Sequence, residues 1–190
     1  RWLAGGFLLT YFSSYGQTFF ISLSSGRIRE EYGLSHGEFG TLYMAATLGS
    51  ALTMPRLGQI VDRRSARGVT LIIVPMLALA CVLMALSSHL ALLLVAIYML
   101  RLFGQGMMGQ NAFTAIGRWF AGQRGKATAV AAIGMNAGEA TFPFLFVVVA
   151  GMVGWRNAWL VAAGTLLLVA LPLIAQLIKV ERTPRAGDPA

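Results

Sequence analysis

Residues 56–68 read R-L-G-Q-I-V-D-R-R-S-A-R-G. Arg56, Asp62, Arg63, Arg64 and Arg67 crowd this stretch, with M-A-A-T-L-G-S-A-L-T-M-P before it and L-I-I-V-P-M-L-A-L-A-C-V-L-M-A-L after it. A charge at the centre of a bilayer costs about 2.5–3.5 kcal/mol, so charges collect where the chain leaves the membrane. A charge knot between two apolar runs is therefore the pattern of a short loop joining two spanning helices. The rest of the chain repeats it.

Of the 190 residues, 57% are hydrophobic and 12% charged. A soluble domain carries about 25% charged residues, so the balance points to a membrane protein. A spanning helix needs about 20 mostly apolar residues. By that rule six spans are expected, at 2–25, 38–60, 69–88, 90–116, 126–153 and 157–178. The first is too long for a signal-peptide core of roughly 7–15 residues. The chain opens on Arg1 rather than Met, as expected of one trimmed, processed or cut from a longer protein. Residues 1–178 thus form an all-α transmembrane bundle, and the polar stretch 179–190, with Pro184, Gly187 and Pro189, reads as the start of a linker. S-H-G-E at 35–38 is a capping box ahead of the second span. The single cysteine, Cys81, cannot form an internal disulfide. The net charge of +8 does not indicate nucleic acid, because the basic residues sit in short loops between apolar runs.

Those loops orient the bundle by the positive-inside rule. With the N-terminus in the cytoplasm, Arg1, Arg56, Arg63, Arg64, Arg67, Arg118, Arg124, Lys126, Lys179, Arg182 and Arg185 lie on the cytoplasmic side. Arg27, Arg29 and Arg156 lie outside, and Arg101 falls within a span. Both ends of the chain are then cytoplasmic, and the expected address is the cell (inner) membrane. Spans three and six are almost wholly apolar and are expected to buttress the bundle. Spans one, two, four and five carry the polar groups, which need protein or water around them. The order polar, polar, apolar occurs twice, as in transporters built from three-plus-three repeats.

The loop at 58–67, G-Q-I-V-D-R-R-S-A-R, resembles the major facilitator superfamily (MFS) signature G-x-L-x-D-R-x-G-R-K/R between helices two and three. Gly58, Ile60, Asp62, Arg63 and Arg67 match; Ser65 and Ala66 depart from it. R-L-F-G-Q-G at 101–106 is similar to the family's arginine and spaced glycines in helix four. R-W-F-A-G-Q-R-G-K-A at 118–127 and G-W-R-N-A-W at 154–159 resemble its next two loops. The resemblance implies one six-helix bundle of a twelve-helix secondary transporter working by alternating access. It also implies that Asp62, Arg63 and Arg67, with Gly58 admitting a close neighbour, latch this bundle to a second six-helix half.

Two charges are expected deep in the membrane. Arg101 lies about 11 residues, roughly 16 Å, from the outer end of its span, and Glu139 about 14 residues, roughly 21 Å. They are expected to face the interior and to pair, Glu139 coupling to protons and Arg101 pairing charge or binding an anion, with a static salt bridge that fixes packing as the alternative. Tyr15, Gln17, Gln105, Asn111 and Asn136, with Tyr11, Tyr43 and Gln110, are candidate pathway groups. Gly134 and Gly138 form a G-x-x-x-G close-packing pattern. Trp2, Trp119, Trp155 and Trp159 read as an interfacial belt.

An enzyme is not expected: no histidine falls within a span, and neither H-E-x-x-H nor a phosphate-binding G-x-x-x-x-G-K-[ST] occurs. No cofactor or metal is expected. The expected substrate is a small organic anion. Efflux of small hydrophobic compounds, or a non-transporting six-helix module that assembles with a partner, are the alternatives.

Overall fold

The structure, a computed structural model, describes residues 1–180 and 182; the rest of the linker expected at 179–190, Arg185 included, lies outside the described residues. Every element among them is helical. The first segment comprises α1 (Trp2–Phe12), a 3₁₀ turn (Ser13–Gly16) and α2 (Thr18–Ser22). The short helix α3 (Ser25–Tyr32) follows, then α4 (His36–Arg63) and α5 (Ala66–Leu86). Helix α6 (Leu90–Met99) runs through a π-helical segment (Leu100–Met108) into α7 (Gly109–Trp119). Helix α8 (Arg124–Val153), then α9 (Trp155–Thr165), a second π-helical segment (Leu166–Ala170) and α10 (Leu171–Leu177) complete the bundle.

Among the described residues, four helical stretches are long and apolar enough to cross a membrane: Ala66–Leu86, Leu90–Trp119, Ala121–Val153 and Trp155–Leu177. The other two expected spans differ for separate reasons. Helix α4, at 28 residues, is long enough, but its small and polar residues dilute its apolarity. The first span is not one helix. It breaks at S-S-Y-G-Q, where Ser13 Oγ donates to Thr10 O (2.6 Å) and Gln17 adopts an extended conformation (φ −80°, ψ 153°). Serine side chains compete with the helical ladder for backbone partners, and Gly16 adds backbone freedom beside them.

Glycines set how closely the helices pack. A Cβ at Gly134 would meet Phe7 O and Thr10 Oγ1, and one at Gly138 would meet Ser14 Oγ, so the G-x-x-x-G face of α8 lies directly on α1. Thr10 Oγ1 donates to Ala131 O across that seam (2.6 Å). A close backbone approach pairs Gly16 with Gly104: a Cβ on Gly16 would stand 2.6 Å from Gly104 Cα and collide with Leu100 O. The break in the first segment and the π segment thus meet backbone to backbone.

Burial reverses one expectation. The apolar stretch of α5 is 56% buried, whereas that of Ala121–Val153 is 22% buried. Helix α5 packs against α6, the π segment and α9 rather than serving as an outer buttress. Leucine and valine suit protein and lipid contacts equally, so apolarity alone does not separate the two. The tryptophan belt is corrected likewise. Trp119 and Trp159 are among the largest fully buried side chains, and Trp159 Nε1 donates to Ser24 Oγ (2.9 Å). Trp2 is half-buried and donates to Val180 O (2.8 Å).

The predicted capping box holds: Glu38 N donates to Ser35 Oγ (3.2 Å) and Ser35 N to Glu38 Oε2 (2.8 Å). Helix α3 is tied down where the sequence reading had only a loop. Arg156 bonds Glu31 Oε1 (2.5 Å) and Ala85 O (2.6 Å), and Tyr32 donates to Ser87 Oγ (2.9 Å).

Candidate functional site

Arg101 projects from the start of the π-helical segment toward the broken first segment. Its Nη1 donates to Thr18 Oγ1 (2.9 Å) and lies 3.5 Å from Gly16 O. Tyr43 of α4 donates to the same Thr18 oxygen (2.9 Å), and the Arg101 guanidinium carbon is 5.6 Å from the Tyr43 ring centre. Arg101 is half-buried and Thr18 exposed, so the cluster faces outward from this bundle. A π segment widens the helix locally, and such segments recur at functional sites. Here it carries the arginine to the point where α1 has lost its helical ladder.

Arg101 does not pair with Glu139. The ion pairs among the described residues are Arg27–Glu30 and Arg156–Glu31, both at the α3 end. Glu139 is exposed on α8, one residue from the glycine that packs on α1. Similar depth on consecutive helices suggested a pair, but depth does not fix azimuth. Nη1 is spent on Thr18 and the chain break, and Arg101 Nε is buried with no hydrogen-bond partner among the described residues. The Nε–Nη2 edge, the one that grips a carboxylate or sulfonate with two parallel bonds, is therefore uncommitted.

The other expected pathway groups divide. Gln105, Asn136 and Glu139 are exposed, and Gln17 is half-buried with Nε2 4.0 Å from Met135 Sδ. Tyr15 and Asn111 instead sit inside the bundle. Tyr15 is 5% exposed and stacks among Phe12, Phe20 and Phe142. Asn111 is 1% exposed and donates to Ala66 O (3.2 Å) and Thr70 Oγ1 (3.0 Å), stapling α7 to the first turn of α5.

At the Arg1 end, Gly58 admits Gln110, whose Oε1 would be 3.0 Å from a Cβ there. Asp62 is exposed at the foot of a 380 Å³ cleft lined by Met54, Pro55, Gly58, Gln59 and Gln110. Its carboxylate is not held by the arginines beside it in sequence: Arg63 and Arg64 are exposed, and Arg67 Nε donates to Ala175 O (3.3 Å) of α10.

Arg118, not singled out in the sequence, does the local work. Its guanidinium donates to Val61 O (2.6 Å), Asp62 O (3.0 Å) and Arg64 O (3.1 Å), closing the C-terminus of α4. An acid in the last turn of a helix opposes its dipole, and this cation offsets that cost. Arg118→Ala is expected to destabilise the bundle by about 2 kcal/mol, with Arg118→Lys recovering part, read from thermal melts. A wild-type melt for the alanine variant would show that the three bonds carry no net stability. Only its place in a basic loop, R-W-F-A-G-Q-R-G-K-A, hinted at this residue.

Long apolar helices crossing at paired glycines around a half-buried arginine describe a multi-pass membrane protein with a polar site between its helices. The family model of the Major Facilitator Superfamily matches residues 4–190, and the chain belongs to that superfamily. It is also similar to the probable sulfoacetate transporter SauU of Cupriavidus necator, 26% identical over 160 residues. That match covers 84% of this chain and 37% of the relative, so the chain spans well under half of that protein's length.

Proposed function

We propose that the chain is the N-terminal six-helix half, a three-plus-three repeat, of a secondary transporter for small organic anions, with Arg101 as the anion ligand. The observation that carries this reading is the uncommitted Nε–Nη2 edge of a half-buried arginine with no acid partner among the described residues. A cation in that setting favours a ligand that brings the missing charge. A relative named for sulfoacetate, a small dianion, supports the same class. Thr18, Tyr43 and Gln105 flank the ligand, and a second six-helix half supplies the opposite wall. Both termini are cytoplasmic in the inner membrane. Asp62, exposed beside Gly58, is the contact that latches the halves, with Arg63 near it and Arg67 bracing α10. The test is uptake by the full-length protein in proteoliposomes, using sulfoacetate against neutral and cationic solutes. Uptake of sulfoacetate is expected; uptake confined to neutral or cationic solutes overturns the anion reading.

Glu139, exposed on α8 like Asn136, with half-buried Gln17 against Met135 of the same helix, is the proton-coupling group in this reading. Its carboxyl makes no ion pair with Arg101. Uptake by the wild-type protein is expected to rise as pH falls, by at most about tenfold per pH unit for one coupled proton. Glu139→Gln is expected to flatten that slope. An unchanged slope in the variant removes Glu139 from coupling.

Efflux of small hydrophobic compounds is the second reading. It draws on a 200 Å³ apolar cavity lined by Phe20, Phe142, Phe146, Val149 and Ala162. In the same proteoliposomes, transport of neutral apolar solutes alone would favour it.

A further inference from the structure

Three buried side-chain polar atoms have no hydrogen-bond partner among the described residues: Ser14 Oγ, Thr47 Oγ1 and Arg101 Nε. Ser14 Oγ lies in the α1–α8 seam against Gly138. The other two lie on elements packed side by side, α4 and the π segment. The register between them follows from two contacts: Gly49 faces the Tyr98 ring and Gly58 faces Gln110. Thr47 is thus level with the α6 turn just before Arg101. The guanidinium of Arg101 reaches back from its own backbone to the Tyr43 ring, as helical side chains lean toward the N-terminus. Tyr43 and Thr47 are four apart on α4 and share a face. Arg101 reaches the α4 face that carries Tyr43 and, one turn on, Thr47, and its Nε and the Thr47 hydroxyl are both buried without a hydrogen-bond partner among the described residues.

We propose that Thr47 is a specificity-determining residue of the Arg101 site, selecting a three-oxygen sulfonate head group over a two-oxygen carboxylate. This rests on the reading of Arg101 as the anion ligand. The Nε–Nη2 edge takes two oxygens in the guanidinium plane. A carboxylate then has both oxygens, and their remaining lone pairs, in that plane. A sulfonate keeps a third, out of that plane, as acceptor for the single Thr47 O–H. A site that leaves a buried hydroxyl unsatisfied with one ligand and satisfied with another discriminates between them.

Sulfoacetate and malonate are matched probes, since each is a dianion with one methylene between its charged groups, and only the first has a sulfonate. Uptake of labelled sulfoacetate by the full-length protein, and its inhibition by malonate, gives the apparent affinity for each. Thr47→Val keeps the shape and removes the hydroxyl. It is expected to weaken sulfoacetate about tenfold and malonate less than about twofold, with Thr47→Ser restoring the wild-type ratio. An unchanged ratio in Thr47→Val, or equal loss of both anions, overturns the role of Thr47. Arg101→Lys separates the two levels of the argument. If it transports both anions as the wild type does, the bidentate grip of Arg101 on which the Thr47 argument rests is refuted. If it loses both while Thr47→Val keeps the wild-type ratio, only the inference about Thr47 falls.

Discussion

Arg101→Lys is expected to leave a folded, membrane-inserted protein whose anion uptake falls about 100-fold at limiting substrate. Lysine keeps the positive charge and can still reach Thr18 Oγ1, which Arg101 holds at 2.9 Å. It loses the fork. An ammonium is a point charge with no planar edge, so the two parallel bonds that Nε and Nη2 offer an oxyanion cannot form. Each charge-assisted bond is worth about 1.5–3 kcal/mol, and 1.4 kcal/mol is a factor of ten. Losing one and weakening another gives the expected size. The contrast with Arg101→Gln is informative. Glutamine is shorter, leaves Gly16 O and Thr18 without the Nη1 donor and brings no charge, so its uptake is expected to fall further. Initial rates against sulfoacetate concentration separate binding from turnover. A lysine variant within about threefold of the wild type would mean that charge alone, without bidentate geometry, is what the site uses.

Much of this is legible in the sequence. The loop at 56–68, the short connections and the apolar runs carry the helical membrane class. The lone intramembrane arginine stood out because charge is costly there. What sequence could not supply was azimuth. Arg101 and Glu139 have similar depths on consecutive helices, yet Arg101 turns to the break in the first segment and Glu139 stays exposed. Asn111 looked like a pathway group, but its carboxamide points into the α5–α7 contact. Side-chain direction around a helix depends on which neighbour each face meets, and a π segment shifts that phase again. Helix α5 shows the same limit in its simplest form, because a uniformly apolar helix has no periodicity from which to infer its buried face. The break at 13–17 had a local signal, two serines followed by Gly16 and Gln17, but an apolar run on each side hid it within one long span. Arg118 had no signal separating it from the other loop arginines.

Gly16→Ala is expected to be among the most disruptive single-methyl changes in the bundle, lowering the melting temperature of the purified protein by about 10 °C. The added Cβ meets backbone on every side: Gly104 Cα at 2.6 Å, Gln105 N at 2.9 Å, and Leu100 O closer still. No rotamer change relieves a clash with main-chain atoms, so the first segment and the π segment must separate. Separation costs the packing at the crossing and moves Gly16 O and Thr18 away from Arg101, so anion uptake is expected to fall with stability. Gly104→Ala attacks the same crossing from the other side, with Gly16 Cα close to its added Cβ and Gly16 N at 2.8 Å. Because both report one contact, their effects are expected to combine to less than their sum. Gly164→Ala is the control. Its added Cβ meets nothing within 4 Å, and alanine favours the helix over glycine by up to about 1 kcal/mol, so its melt is expected at or slightly above wild type. If Gly16→Ala melts with Gly164→Ala, the two backbones do not touch in the folded protein, and the first segment and α6–α7 cross further apart than the glycines imply. If it melts early but restores wild-type uptake at low temperature, the crossing is a matter of stability alone, and the geometry of Arg101 tolerates the displacement.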